Sequence, residues 1–579
     1  MPITPTYPGI YIQEAPSTTH TIVAAPTNIA VFIGYTHPLK TLPAIYGKAV
    51  QIFGFMDYQR QFGGFVRSAA YATSAGLGAA KVYGTTDGNV AGDMAEAVNQ
   101  FFLNGGTTAY IVSTNGTDPN TPNAFLPAAG ATLQIGGLTF TAQEVTDEFY
   151  SMTVRIVPVK PTTGSPPESA LADIIVTYAP SGPSPLGGGP VPGTVTESYR
   201  RVSLTPTESD GVTPDPNFIE TRIGNSSNPS PVSALITVDV AASPPVSEFT
   251  AASQPFGLTF EVDGSTPFSA KSAFFTPTEY TAVLQEDTDL DKVPVLNLMV
   301  LPGVFEPTVL GTAIAFCERK LAFLIMDPPV NSSTDDTTPP LQTIQSVANG
   351  TSLQRSKNAA LYFPYLQSPD PFTGSANNPV TGLVSEIPPA PTVAGIFAAT
   401  DVSRGVWKAP AGFQALTTNT TGVVSRGRMT DPRQGVLNPI SVNCLRDFPN
   451  IGTIVFGSRT LASTYDQQWT YVPVRRMALF LEQTLLANLK WVIFEPNAQP
   501  LWTAITMSIQ AFMLGLFKQG AFQGNTPSDA FLVQCNSQTT TQADIDSGIV
   551  NIVVGFAPLS PAEFVVITIA QIAGQTQTS

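Results

Sequence analysis

The sequence predicts an α+β multidomain fold: an α/β core built from an N-terminal and a C-terminal part, an all-β domain inserted between them, and extended arms at both ends. Three observations carry that reading. Strand-like apolar runs alternate with helical stretches on either side of a proline-rich middle, the middle itself loses helical periodicity, and both ends carry strand-like segments with nothing nearby to cover them. At 579 residues the chain also exceeds what one ordinary core holds.

Residues 1–26 read as an N-terminal arm, because Pro2, Pro5, Pro8, Pro16 and Pro26 exclude a helix while Ile10 and Ile12 alternate with Tyr11 and Gln13. Residues 27–113 read as the first part of the core. Runs at 29–34 (IAVFIG) and 109–113 (AYIVS) have the character of buried strands, and the helical stretch 92–103 between them stops at Asn104-Gly105-Gly106.

Residues 114–270 read as the inserted β-rich surface domain. Roughly two fifths of the 53 prolines fall between 114 and 266. Leu133-Gln134-Ile135, Gly136-Gly137 and Leu138-Thr139-Phe140 spell a hairpin with a two-residue turn, and runs at 174–178, 235–240 and 258–262 continue the β texture. Residues 271–560 return to α/β. A strand at 295–301, a helix at 306–319 and a strand at 321–326 make a βαβ unit whose sheet needs cover on both faces. The run 327–340 reads as a surface excursion.

Two helices close the core. Residues 475–491 place Ala478, Leu481, Leu485 and Leu489 on one stripe, with Arg476, Gln483 and Lys490 toward the other side. The next helix takes Asn497 as N-cap, Pro500 in its first turn, Lys518 in its last, and ends at Gly520. Its apolar stretch Leu501 to Phe517 would make about 26 Å of helix, short of a membrane span, so a buried core helix is expected. Residues 561–579 read as a C-terminal arm with a strand apolar on both faces. Such a segment invites aggregation unless a neighbouring strand covers it.

Charged residues are only 12% of the chain, which suits a surface buried in an assembly, and a formal net charge of −15 argues against a nucleic-acid partner. No basic amphipathic stretch supports binding to lipid, and no direct membrane insertion is expected. Met1 to Gly9 lacks the features of a secretory signal, so synthesis in the cytoplasm is expected. Cys317, Cys444 and Cys535 form no paired motif and read as small core residues.

The search for catalytic chemistry is negative. The two histidines, His20 and His37, have no partner at zinc spacing, and neither a phosphate loop nor a nucleophile elbow occurs. Gly76-Leu77-Gly78 lacks the third glycine of a dinucleotide fingerprint. Asp287, Asp289 and Asp291 resemble the start of a calcium loop, but Lys292 and Leu298 stand where glycine and a bidentate glutamate belong. The expectation is no enzyme, no cofactor and no metal. A glycan hydrolase using acids such as Asp335 or Asp401, and a surface-layer or adhesin-like structural protein, are the alternative classes.

Several blocks agree on one family. They are Tyr7-Pro8-Gly9-Ile10-Tyr11-Ile12-Gln13-Glu14, Phe101-Phe102-Leu103-Asn104-Gly105-Gly106, Gly405-Val406-Trp407-Lys408-Ala409-Pro410, Leu437-Asn438-Pro439-Ile440, Gly457-Ser458-Arg459-Thr460-Leu461, Tyr471-Val472-Pro473-Val474-Arg475-Arg476, Phe494-Glu495-Pro496-Asn497 and Gly555-Phe556-Ala557-Pro558. Together they resemble the sheath proteins of contractile injection machines, meaning phage tails and phage-tail-like particles, over about residues 1–113 and 280–579.

The resemblance implies a sheath core, hexameric rings stacked around an inner tube protein, baseplate and terminator or cap proteins as further partners, and final assembly into a virion tail or phage-tail-like particle. It places one inter-subunit arm on Tyr7, Gly9, Ile10, Tyr11, Ile12 and Glu14, and the other on Phe564, Val565, Val566, Ile567, Thr568, Ile569 and Ile572. Arg475, Arg476 and Lys490 are the candidate contacts to the tube, with ordinary surface charge as the other reading.

Overall fold

The structure, a computed structural model, describes residues 20–36, 41, 45–62, 94–114, 131–143, 150–159, 171–180, 195–208, 211–226, 232–233, 235–241, 248–257, 277–329, 344–345, 348–350, 353–369, 384–424, 427–462 and 464–564. At its centre is an eight-stranded sheet. Its strands, in chain order, are β1 (Ile29–Gly34), β2 (Ala49–Ile52), β3 (Thr108–Ser113), β4 (Leu298–Val300), β5 (Phe323–Met326), β6 (Ala359–Phe363), β7 (Val442–Phe448) and β8 (Gly452–Val455). In space the order is β8-β7-β6-β5-β4-β1-β3-β2, with antiparallel pairs only at the two edges.

The sheet joins distant stretches of chain, since β1 pairs in parallel with β4 in the register Ala30↔Leu298. Alternate residues face opposite layers, as the pleat requires. Val31, Ile33, Met299 and Leu324 meet the helix α3 (Pro307–Lys320) on one side. Ala30, Phe32, Val300 and Ile325 meet α2 (Met94–Leu103) and α4 (Pro389–Arg404) on the other. A shorter helix, α1 (Phe55–Phe62), adds Tyr58 and Phe62 to that second layer. With both faces covered, strands can be apolar throughout, which is why they read as continuous hydrophobic runs. Gly395 lets α2 and α4 touch, because a Cβ there would lie 2.6 Å from the Phe101 carbonyl oxygen.

Between β3 and β4 the described residues form two further antiparallel sheets. One has three strands, Thr132–Ile135, Leu138–Ala142 and Ile236–Val240. The other has four, Tyr150–Pro158, Leu171–Pro180, Val195–Ser203 and Ala252–Pro255. The hairpin turns at Gly136 and Gly137, both with positive φ (55° and 80°), the conformation of a tight two-residue turn. These sheets share an apolar core of their own, drawn from residues 135 to 256. A short helix, Ile219–Ile223, also sits in this stretch that reads as all-β. The expected strand at 258–262 and the excursion at 330–340 lie outside the described residues.

The last unit consists of α5 (Val472–Asn488), α6 (Gln499–Lys518) and the hairpin-like pair β9 (Phe531–Gln534) and β10 (Val553–Phe556). Two sequence expectations need correction here. Gln483 and Arg476 are buried, because α5 is wedged between the central sheet and α6: Val472 and Leu479 pack into the sheet layer while Met477, Phe480 and Leu481 pack against α6. The cap of α6 is Ala498, without a side-chain bond. Asn497 instead accepts from Trp502 Nε1 (2.8 Å) and donates to the Ile549 carbonyl (2.9 Å). The helix is long and apolar enough to cross a membrane by length and composition, but Leu501, Trp502, Ile505, Ile509, Met513 and Leu516 are packed inside the protein. The three cysteines are buried and free.

Candidate functional site: the roots of the two arms and the terminal sheet

An extended chain without a strand neighbour must still find partners for its backbone groups. At the N-terminal end, side chains of α5 provide them. The His20 ring stacks on Trp491 at 3.9 Å, and Ile22 enters the core of the last unit. Asn488 Oδ1 accepts from the Val23 N–H (3.0 Å) while its Nδ2 donates to the Val23 carbonyl (2.8 Å), so one amide serves both backbone groups as a strand would. Thr484 Oγ1 accepts from Ala25 N–H at 3.1 Å, and Arg476 donates to the Thr27 carbonyl at 2.9 Å. Asn297 completes the path, donating to the Pro26 carbonyl (2.8 Å) and to Gln483 Oε1 (2.8 Å) and accepting from Ile29 N–H (2.9 Å). Thr484 and Asn488 lie four residues apart on one face of the helix, a spacing already visible in the sequence.

Of the three candidate tube contacts, two are not on the surface. Arg476 is 4% exposed and grips Asp401 through both carboxylate oxygens (2.8 and 2.5 Å), with its guanidinium 5.0 Å from the Phe397 ring centroid. Burial raises the Asp401 pKa, and the Arg476 charge pulls against it. Arg475 is buried too, donating to Asn358 Oδ1 (2.8 Å) and stacked over Trp469. Lys490, in the short 3-10 turn after α5, is exposed. A buried, paired arginine holds the body together and offers nothing to a partner.

The C-terminal end has a root of its own. Glu563 accepts from Asn438 Nδ2 (2.6 Å), from Arg459 Nε (2.9 Å) and Nη2 (2.6 Å), and from the Tyr471 hydroxyl (3.1 Å). Burial alone would raise its pKa. The bonds from Arg459 and Asn438 and the Arg459 charge outweigh that and hold it below the usual carboxylate range. Asn443 on β7 fixes Arg459 in turn, accepting from its N–H (2.6 Å) and donating to its carbonyl (2.8 Å). One residue past this clamp, Phe564 is 72% exposed. The remaining C-terminal arm positions, 565–572, and all those of the N-terminal arm, 7–14, lie outside the described residues.

Between the roots stands the terminal sheet. β9 and β10 pair antiparallel over Phe531↔Phe556 to Gln534↔Val553, and among the described residues they form a sheet of two strands only. Two strands of four residues do not sustain themselves in water. Packing of Phe531, Val533 and Phe556 with Ile505, Ile509 and Met513 of α6 supports them, yet Leu532 stays 49% exposed. Among the described residues, no three His, Cys, Asp or Glu side chains gather as a metal site.

Residues 464–572 match the family model of the phage tail sheath C-terminal domain. This end of the chain is similar to that phage tail sheath domain. The match takes in α5, α6, β9, β10 and Glu563, and therefore most of the site just described. Over nearly its whole length the chain has the fold of contractile sheath proteins. The helical sheath of the anti-feeding prophage in its contracted state matches with a TM-score of 0.51 at 20% identity, over 98% of this chain and 100% of that one. The contracted sheath complex of the extracellular contractile injection system PVC gives 0.51 at 20% identity, over 98% of each chain. A sheath tail protein from Desulfitobacterium hafniense gives 0.50 at 12% identity, over 95% of this chain and 100% of that one. At such identities the likeness is one of fold. No curated protein matches the chain by sequence.

Proposed function

We propose that this protein is the sheath subunit of a contractile injection machine. In this reading it is made in the bacterial cytoplasm and polymerises as stacked hexameric rings around an inner tube, with a baseplate at one end and a terminator or cap at the other. It contracts from a metastable extended state to drive the tube through a target envelope. The observation that carries the reading is that the chain is anchored near both ends, Val23 on α5 and Glu563 on Asn438, Arg459 and Tyr471, beside a unit whose two short strands have no third strand among the described residues.

Residues 6–14 and 564–572 are the segments that would add to the β9/β10 sheet of neighbouring copies. Backbone hydrogen bonds would make the connection and alternate side chains would set its register. Woven arms keep neighbours attached while rigid bodies rotate, so the stroke needs no nucleotide. If contraction buries about 400 Å² more apolar surface per subunit, the gain is about 10 kcal/mol before losses. Residues 27–113 and 271–560 form the rotating core, and 114–270 a surface domain inserted into it. Lys490 is the remaining candidate among the three cations for facing the tube, since Arg475 and Arg476 are occupied within the chain.

Electron microscopy of the purified protein tests this, with striated tubes or stacked rings expected. Deleting residues 561–579 should leave folded monomers that do not polymerise. Normal tubes from that truncation would refute the arm assignment.

A further inference from the structure

Phe494 is an outlier twice over. It is 103% exposed, and its backbone has φ 71°, a left-handed conformation that a bulky L residue rarely adopts. The turn Ile493-Phe494-Glu495 thus holds an aromatic ring out in water, beside a second exposed apolar side chain, Ile493, and an exposed carboxylate, Glu495, that has no side-chain partner among the described residues. Strain that presents an apolar group to solvent calls for an occupant of the other kind, a receiving cleft.

The chain has one with matching chemistry. A cleft of about 910 Å³ has apolar walls from Trp407, Phe456 and Pro561. Its two acids are spent: Asp431 pairs with Arg446 (2.7 Å) and Glu563 with Arg459 (2.6 Å). Its cations Arg404 and Lys408 have no carboxylate partner among the described residues, bonding only to Gln414 Oε1 and the Ala409 carbonyl. Burial, and then Arg404, lowers the Lys408 pKa, which marks an ammonium short of a counter-charge. The buried Ser458 hydroxyl and Arg446 Nε in the cleft lining also have no hydrogen-bond partner among the described residues.

One chain cannot fill its own cleft with its own knob. The knob precedes the N-terminus of α6, whereas Gln519 and Gly520, just past its C-terminus, line the cleft. That helix is about 30 Å long.

We propose that the Phe494–Glu495 turn of one copy docks into the Trp407/Lys408 cleft of the next, with the ring against Trp407 and Phe456 and the carboxylate against Lys408 and Arg404. Knob and cleft are different surfaces, so the contact is head-to-tail, the type that generates rings or open helices and not closed pairs. The inference rests on the sheath reading and adds to it a contact between folded bodies, independent of the arms.

Zero-length carbodiimide cross-linking of the assembled full-length protein, read by mass spectrometry, should give a Lys408–Glu495 amide between chains. Glu495→Lys and Lys408→Glu should each raise the concentration needed for assembly about tenfold, the effect of one lost charge pair at an interface, and the two together should restore it. Thermal unfolding of the variants checks that the bodies remain folded. Tubes that form without the inter-chain link, or a double variant no better than the singles, overturn the docking and leave the sheath reading standing. A wild-type chain that never polymerises overturns both.

Discussion

The central sheet and the terminal sheet are made of the same kind of residue and end in opposite states. In the first, strands such as Ala30-Val31-Phe32-Ile33 are fully buried, with helices on both faces and neighbours along both edges of all but the outermost strands. In the second, two four-residue strands have no third strand beside them among the described residues and expose Leu532 and Val553. The first is a finished structure whose stability is its own. The second, in the proposed function, is completed by a partner, so substitutions in the two regions should separate folding from assembly.

The largest effect is expected at the buried ion pair that ties α5 to the body. Arg476→Ala leaves Asp401 charged and unpaired in the interior, which costs about 3–5 kcal/mol, together with the bond to Thr27 that seats the N-terminal root. Lys490→Ala, on the exposed turn beyond the same helix, should change stability by less than about 0.5 kcal/mol. Urea unfolding of the two variants checks the contrast. Equal effects would mean that the burial of Arg476 is wrong.

Phe32→Ala comes next, removing a ring that meets Phe101 edge-on at 5.3 Å in the sheet layer, at about 3–5 kcal/mol. Leu532→Ala in β9 should cost well under about 1 kcal/mol, since half the side chain is already in water. Its effect is expected in the yield of tubes counted by microscopy. If Leu532→Ala destabilised the monomer as much as Phe32→Ala, the terminal sheet would be a core and not an interface.

A pH-dependent effect comes from Asp327, which follows β5. It accepts from the Gly303 N–H (2.8 Å) and from the Ala390 N–H at the start of α4 (2.7 Å). Those bonds favour the anion, but burial outweighs them and pushes the pKa up to about 7 from the 3.8 of a free carboxyl. The folded chain therefore binds this proton more tightly than the unfolded chain does. Its contribution is fully present below pH about 4 and is lost as pH rises toward 7. Denaturant unfolding at several pH values should show that slope, and Asp327→Asn should flatten it.

What was legible in the sequence follows the same division. Runs buried on both faces, such as 29–34, 109–113 and 321–326, announce themselves because nothing polar interrupts them, and Gly136-Gly137 fixes its turn by conformation alone. Long-range polar pairing was hidden. Arg476 and Gln483 sit where a surface stripe is expected, and only the fold reveals Asp401, 75 residues earlier, waiting beside Arg476. Asn497 looks like a helix cap and serves Trp502 and Ile549 instead. The arm roots were missed for the same reason: Asn438, Arg459, Tyr471 and Glu563 span more than a hundred residues of sequence and meet at one carboxylate.

That carboxylate gives the smallest and most local test. Glu563→Gln keeps the shape of the side chain and removes its charge, so the hydrogen bonds to Arg459 weaken while the body is untouched. The loss should be about 1–2 kcal/mol, confined to the clamp, and visible as faster proteolytic cleavage after residue 560 with an unchanged unfolding midpoint for the body. Because the folded pKa lies below the free value of 4.5, the clamp is intact at neutral pH and weakens only as the solution is acidified below that value. Wild-type protein in acid should therefore lose its protection toward that of Glu563→Gln at neutral pH. If instead the variant lowers the melting temperature of the whole chain, Glu563 belongs to the finished body and not to the root of an arm.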